Sequence, residues 1–403
     1  MSGAADYHAL RPSEVGAAAA ILSRAFGGGD ASASERWIRN ETGLEHVRVL
    51  CEDGAPLATA VCVPMDAWMG GRTVSHVGIA GVAVAPEARG RGLARRIMTH
   101  VLKELQAEGV AISALYSAMH RLYRGVGYQD AGELWDVRVP AGMIEATDRG
   151  GDWRPMRDGD LPAIAACARA RGRLVNGAME RGPYCWRRVF TPRQGDSEVF
   201  VAEDGDGGIE AYAAYRVERR GDLGPQTGTS AGMLMVCTDV GYASARGLQR
   251  LLGFLRGFAS VVGEIELHDF PGSPFIMALL DRRYWIELRD MWMLRLVDVP
   301  GALAERGYPA GLDATIRFRV SDDLLPQNDG GIALRIRDGV GEVTKDGTSD
   351  AIDIGVREFA PLYTGMLTAS QLAHAGHLRG SESQIALADA AFGGGRAVGF
   401  DFF

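Results

Sequence analysis

From Gly81 to Met98 the chain reads GVAVAPEARGRGLARRIM. Arg89, Gly90, Arg91, Gly92 and Arg95 crowd one expected helix start, in a chain whose formal net charge is -8. Unpaired backbone N–H groups and the positive end of the helix dipole collect at such a start. Glycine lets an anion approach the backbone and arginine adds charge, so the cluster suits a phosphate or pyrophosphate. Arginines on a solvated helix face are the alternative that these residues leave open. The stretch is not a Walker loop, because GxxxxGK[ST] is absent, and GxGxxG is missing too.

Periodicity supplies the elements that hold the cluster. Val74 to Pro86, VSHVGIAGVAVAP, is almost wholly apolar and stops at a proline, which predicts a strand buried on both faces. Leu93, Ile97, Val101, Leu102 and Leu105 then recur at helical spacing up to Gly109, which predicts an amphipathic helix with a glycine stop. Four histidines could add chemistry. His120 would be a neutral base at pH 7, with a surface or capping role as the alternative. His76 precedes the Val82–Val84 stretch and could face a cleft. His374 and His377 form an H-x-x-H pair without further ligands at useful spacing, so a helix face is expected there and no metal.

Composition bounds the function. A length of 403 residues predicts two or three domains. Apolar residues at 47% and charged residues at 23% fit a globular protein. Lys+Arg 43 against Asp+Glu 51 excludes the basic footprint of a nucleic-acid binder; the acidic balance suits a cationic partner, with simple solubility as the alternative on charge alone. The five cysteines, Cys51, Cys62, Cys167, Cys185 and Cys237, form no CxxC pair, which predicts reduced thiols in a cytoplasmic protein. No apolar run approaches the ~18 residues of a spanning helix. The opening MSGAADYHALRPSE has neither a basic nor an apolar leader region, so no membrane partner and no secretion are expected.

Two internal echoes organise the chain. LRPSEVGAAAAILSRAF (Leu10 to Phe26) and MRDGDLPAIAACARARG (Met156 to Gly172) share a polar turn followed by apolar positions at helical spacing. GRGLARRIM (Gly90 to Met98) aligns with ARGLQRLLG (Ala245 to Gly253) at nearly the same offset. We read two copies of one fold, the second disarmed: Ser244, Ala245 and Gln249 stand where the first has Arg89, Gly90 and Ala94. From Met291 a third piece begins, with strand-like runs ATIRFRVSD and GIALRIRDGVGEVTK followed by a helical stretch. The expected domains are 1–147, 148–290 and 291–403, with Thr147 to Asp152 as the linker between the copies.

Arg89-x-x-Gly92-x-Ala94 after the strand Val82-Ala83-Val84 resembles the acetyl-CoA signature of the GNAT N-acetyltransferases. An active GNAT copy, a degenerate one and a domain resembling sterol carrier proteins are together similar to the enhanced intracellular survival (Eis) acetyltransferases, over essentially the whole chain. The resemblance implies an α+β architecture of tandem GNAT folds plus a sterol-carrier-like α+β domain. It also implies acetyl-CoA as co-substrate, contacted at Val82, Val84, Arg89, Gly90, Arg91, Gly92 and Ala94, and at Ser117 with spacing one residue off. Ala94 replaces the usual third glycine, an allowed variant. A homo-oligomer, a hexamer of two stacked trimers, is implied in the same way.

Acetyl transfer to an amine requires loss of an amine proton, stabilisation of the thioester oxygen and protonation of the departing thiolate. In the family the acid is the tyrosine opening Y-x-x-x-G-Y, which here is Tyr123 of Tyr123-Arg124-Gly125-Val126-Gly127-Tyr128. A phenol with an ordinary pKa of about 10 is protonated at pH 7 and can donate to a thiolate. The family's base is the chain's own terminal carboxylate, which implies Phe403. That terminus, Gly399-Phe400-Asp401-Phe402-Phe403, carries three aromatic rings that favour burial. Asp401 and Asp30 are expected to face a cationic small-molecule amine, aminoglycoside-like or lysine-like. A pathway-specific N-acyltransferase with another acyl donor is the alternative, and a lipid- or partner-binding scaffold with a vestigial CoA site is a second.

Overall fold

The alternation of long apolar strands with one-faced helices builds mixed α and β layers. The computed structural model describes residues 6–27, 30–146, 151–192, 195–219, 232–279, 281–346 and 349–402. Phe403 and Thr147 to Gly150 of the expected linker lie outside the described residues. The chain divides into two units, one of Met1–Gly132, Met291–Ala397 and Phe402–Phe403, the other of Glu133–Asp290 and Val398–Asp401.

The first unit begins with β1 (Asp6–Ala9), α1 (Val15–Ala25), α2 (Ala31–Arg36), β2 (Val47–Glu52), β3 (Ala55–Met69) and β4 (Arg72–Val84). β1 to β4 form an antiparallel meander. α3 (Leu93–Ala107) then crosses to β5 (Ile112–Tyr116), which lies parallel to β4. Leu93, Ile97, Met98, Val101, Leu102 and Leu105 are the buried face of α3, and Gly109 beyond its end takes φ +77°. This is the expected amphipathic helix and glycine stop. α4 (His120–Arg124) and the start of β6 (Gln129–Pro140) follow.

The second unit takes the rest of β6, then β7 (Trp153–Pro155), α5 (Leu161–Gly172), β8 (Met179–Glu180), α6 (Pro183–Phe190), β9 (Glu198–Glu203), β10 (Ile209–Arg219), β11 (Met233–Tyr242), α7 (Ala245–Gly257), β12 (Glu264–His268) and α8 (Pro274–Met277). β11 and β12 are parallel across α7, as β4 and β5 are across α3. The internal echo in the sequence is therefore a repeated β–α–β unit.

β13 (Trp285–Leu296) returns the chain to the first unit, where Trp292 to Leu296 pair antiparallel with β5. Beyond α9 (Val299–Glu305) stand β14 (Ala314–Ser321), β15 (Gly330–Arg337), β16 (Val340–Lys345) and β17 (Ile352–Gly355). α10 (Val356–Thr364), α11 (Ala369–His374), β18 (Leu378–Arg379) and α12 (Glu382–Phe392) complete this part. Its five strands run in the order β16-β15-β14-β17-β18. Phe318, Phe359 and Phe392 meet in its core, with Phe318 and Phe359 centroids 4.9 Å apart. α11 ends at His374, so His377 lies past the helix and the two exposed imidazoles do not form one helix face. Among the described residues no helix is long and apolar enough to cross a membrane.

Candidate active site

The parallel pairing of β4 with β5 runs from His76–Ile112 to Gly78–Ala114 and stops there. Further along, β4 keeps only β3 beside it among the described residues, through Val61–Ala80, Thr59–Ala83 and Ala58–Val84. One backbone edge of the stretch holding Val82 and Val84 is thus open to an extended, amide-bearing ligand. Gly81 marks the bulge that bends the strand there: its φ is +56°, and a Cβ would lie 2.9 Å from Val61 Cγ2.

At the end of this strand Arg89, Gly90, Arg91 and Gly92 are all exposed, and Ala94 is half-buried. Gly90 and Gly92 take φ +78° and +74°, with nothing within 4 Å of a Cβ. Glycine is favoured here by the backbone turn and not by crowding. Gly92 is the N-cap of α3 and supplies no capping side chain, so among the described residues no side chain caps the first-turn N–H groups. Arg91 pairs with Glu52, which Arg96 also reaches at 3.0 Å. These guanidinium bonds hold the Glu52 carboxyl below the usual range, so part of the Arg91 charge is already spoken for. Arg89 and Arg95 form no ion pair among the described residues.

The repeat of this turn in the second unit is filled from within. Ser244 caps α7, accepting from Gly247 N at 3.0 Å, and donates to Glu210 Oε1 at 2.7 Å. Arg250 and Arg246 lie 3.4 and 3.7 Å from the other Glu210 oxygen. A Cβ on Gly247 would come within 2.4 Å of the Glu210 carbonyl oxygen. A carboxylate of the chain itself therefore holds the place where the first copy leaves donors open.

Tyr123 projects from α4 and is 8% exposed. Its hydroxyl has no hydrogen-bond partner among the described residues, and burial pushes the phenol up to about 12. The neighbouring Tyr128, in edge contact with ring centroids 6.0 Å apart, is committed: its hydroxyl is 2.8 Å from Ser113 Oγ, which donates to Val77 O at 2.9 Å. His120 is half-exposed and its Nε2 lies 3.1 Å from Asp130 Oδ1. Ser117, just beyond β5, accepts from Met119 N at 3.2 Å. Asp30 caps α2, accepting from Ser32 N at 2.9 Å and from the Ser32 hydroxyl, and these bonds hold its carboxyl below the usual range.

The tail is anchored residue by residue. In the second unit Val398 N donates to Asn176 O and Gly399 N to Glu133 O, both at 2.9 Å. Phe400 lies 3.9 Å beneath the Arg171 guanidinium. Asp401 accepts from Arg181 Nε at 2.7 Å, and Arg181 also binds Asp239. Burial pushes the Asp401 carboxyl up while Arg181 pulls it down, so the side chain expected to face a substrate cation already has a protein cation. In the first unit Phe402 stacks on Tyr116, the last residue of β5, with centroids 4.5 Å apart.

Residues 6–131 match an acetyltransferase (GNAT) domain family, 177–296 match a second such family, and 299–400 match a sterol carrier protein domain. An uncharacterized N-acetyltransferase of Streptomyces coelicolor is 30% identical over 348 residues, 82% of this chain and 80% of that one. The N-acetyltransferase Eis of Mycobacterium tuberculosis is 30% identical over 331 residues, 76% of this chain and 75% of its own. The chain belongs to the Eis-like GNAT N-acetyltransferases. A GCN5-related N-acetyltransferase from Anabaena variabilis has the same fold at TM-score 0.91 and 28% identity, covering 99% of this chain and 100% of that one.

Periodicity and motif did not reveal three features of this Eis-like acetyltransferase. Glu52, which engages Arg91, carries no local signal. Arg295 on β13 is fully buried, pairs with Asp322 at 2.6 Å and packs against the Y-x-x-x-G-Y turn. Gly127 in that turn has φ +93°, and a Cβ there would lie 2.7 Å from Arg295 Nε, so the glycine answers to a residue far along the chain. Nor does His76 face an open cleft. It is 4% exposed, and desolvation pushes its imidazole down to about 3.

That burial predicts an acid limb in stability. The unfolded chain takes a proton at an ordinary imidazole pKa of about 6.5, which the fold refuses until about 3. Stability present above pH 6.5 is therefore lost as pH falls toward 3, by at most about 1.4 kcal/mol per unit from this residue. Urea unfolding at pH 7 and pH 5 should show a shallower loss for His76→Leu than for the parent chain. An identical pH slope in both would remove His76 as a cause.

Proposed function

We propose that this N-acetyltransferase moves an acetyl group from acetyl-CoA to a primary amine of a cationic small molecule, aminoglycoside-like or lysine-like. The observation that carries the reading is the open edge of β4 leading into the exposed Gly90–Gly92 turn at an uncapped helix start. An extended pantetheine arm would pair with the edge at Val82 and Val84, and its pyrophosphate would meet the first-turn N–H groups and Arg89. Ser117 is assigned to the same cofactor, and Asp30 to the acceptor side.

The amine nitrogen attacks the thioester carbonyl, the C–S bond breaks, and the sulfur takes a proton from Tyr123. The amine proton goes to the Phe403 carboxylate or to a water it orients, and a proton then returns to the phenolate. Supporting this assignment, the Tyr123 hydroxyl has no hydrogen-bond partner among the described residues, and Phe402 stacks at the end of β5. The division into 1–147, 148–290 and 291–403 belongs to this reading, as does a homo-hexamer that sizing of the purified chain would test.

Calorimetric titration of CoA tests the cofactor site. Arg89→Ala with Gly92→Asp removes one charge-assisted contact and sets a carboxylate where the pyrophosphate belongs. Aspartate tolerates a left-handed backbone better than most residues, so the fold should survive. The expected loss is at least ~100-fold in affinity. Ala245→Asp, at the corresponding exposed turn of the second copy, should leave CoA affinity unchanged. Unaltered CoA binding in the double variant would sink the assignment, and an acceptor panel read by CoA release would then identify the amine.

A further inference from the structure

A second cluster of chemistry-bearing side chains lies on strands the transfer reaction does not use. β1 and β2 pair with Asp6 opposite Cys51 and His8 opposite Val49. Alternate strand residues share a face, so Asp6, His8 and Cys51 lie together. The 3-10 turn Pro12–Glu14 ahead of α1 brings Glu14 over them. His8 Nε2 is 3.7 Å from Cys51 Sγ, 3.6 Å from Glu14 Oε1 and 3.5 Å from Asp6 Oδ2. The ligand atoms of His8, Glu14 and Cys51 all lie within 4.8 Å of one another.

We infer that His8, Glu14 and Cys51 form a zinc site, with Asp6 at its rim. One thiolate, one imidazole and one carboxylate form a donor set suited to zinc. Tetrahedral zinc bonds of roughly 2.0–2.3 Å place ligand atoms roughly 3.3–3.6 Å apart; the His8–Glu14 separation of 3.6 Å reaches that range and the His8–Cys51 separation of 3.7 Å lies just beyond it. The surroundings of the ligands provide a second, independent argument. His8 Nδ1 lies 2.9 Å from Ala9 O, and a carbonyl only accepts, so the proton sits on Nδ1 and the Nε2 lone pair faces the cluster. Arg11 N donates to Glu14 Oε2 at 2.9 Å, which leaves Oε1 turned toward His8. Outer bonds of this kind, one fixing the tautomer and one the carboxylate, are what orient metal ligands.

Burial and charge agree with such an ion. The His8 and Glu14 side chains are 15% and 11% exposed, and Cys51 is 2% exposed. The Arg11 guanidinium, 59% exposed and 3.8 Å from both carboxylates, balances their charge without the ion and can turn into solvent when one binds. The competing arrangement is an imidazolium held between Asp6 and Glu14, with no affinity for metal. Zinc here would fasten β1, β2 and the start of α1 to one another.

The test uses the full chain stripped with a chelator and titrated with Co2+. One Co2+ per chain should bind, with an intense tetrahedral spectrum and a thiolate-to-cobalt charge-transfer band that Zn2+ abolishes. Zn2+ should also raise Tm, reversibly on chelation. Cys51→Ser should lose the band and His8→Gln should weaken binding by at least ~10-fold, while Cys62→Ser, a buried cysteine on β3, should keep both. Because acetyl transfer is not the readout, the outcome is independent of the proposed function. The wild-type chain alone can overturn the inference if it shows no charge-transfer band at millimolar Co2+. The same band in Cys51→Ser would overturn it equally.

Discussion

Replacing Tyr123 by phenylalanine should lower kcat by about 10²–10⁴-fold, the usual worth of one positioned general acid, with Tm nearly unchanged. The substitution removes one oxygen that has no hydrogen-bond partner among the described residues, so the fold loses little. Tyr128→Phe should behave the opposite way. Its hydroxyl shares a buried chain with Ser113 and Val77, and deleting it costs about 1 kcal/mol of stability. Turnover should change far less. The two variants thus separate a chemical role from a packing role within one ring pair. The pH profile adds a second check: with its phenol pushed up to about 12, Tyr123 stays protonated through pH 7–9. Any fall in kcat on the alkaline side of that window must come from another group and should persist in Tyr123→Phe. An unchanged kcat in Tyr123→Phe removes it from the mechanism.

Adding a few residues after Phe403 should cut turnover by at least ~10²-fold while CoA affinity and Tm hold. The residues before Phe403 are each anchored. Val398 and Gly399 are fixed by backbone hydrogen bonds, Phe400 by Arg171, and Asp401 by Arg181. Phe402 stacks on Tyr116, where β5 ends and the run toward Tyr123 begins. An extension therefore moves the terminal carboxylate and converts it to an amide without loosening those anchors. Deleting Phe402 and Phe403 should lower turnover similarly, with the loss of one ring stack besides. An N-terminal tag is the control and should be harmless. Full activity in the extended protein would falsify the terminal-carboxylate mechanism and return His120, or a water held by backbone carbonyls, as the proton acceptor.

The sequence by itself determined the features whose cause is local. The Val74–Pro86 strand, the break at Pro86, the face of α3 and its glycine stop follow from periods and turn residues inside a short window. The repeat was legible for the same reason, since two β–α–β units need the same local pattern. The Y-x-x-x-G-Y turn and the Arg89–Gly92 turn were visible as motifs, although not the reasons for their glycines. Tertiary structure alone decided what meets what. Gly127 faces Arg295, Arg91 shares its charge with Glu52, and Glu210 fills the second copy's helix start. Asp401 meets Arg181, His76 is buried, and Asp6 is placed opposite Cys51 beside His8. Each of these depends on strand register and on the packing of distant segments. Electrostatic pairing and desolvation act through space, over a few ångströms between atoms that chain order does not bring together, and short-range periodicity carries no record of them.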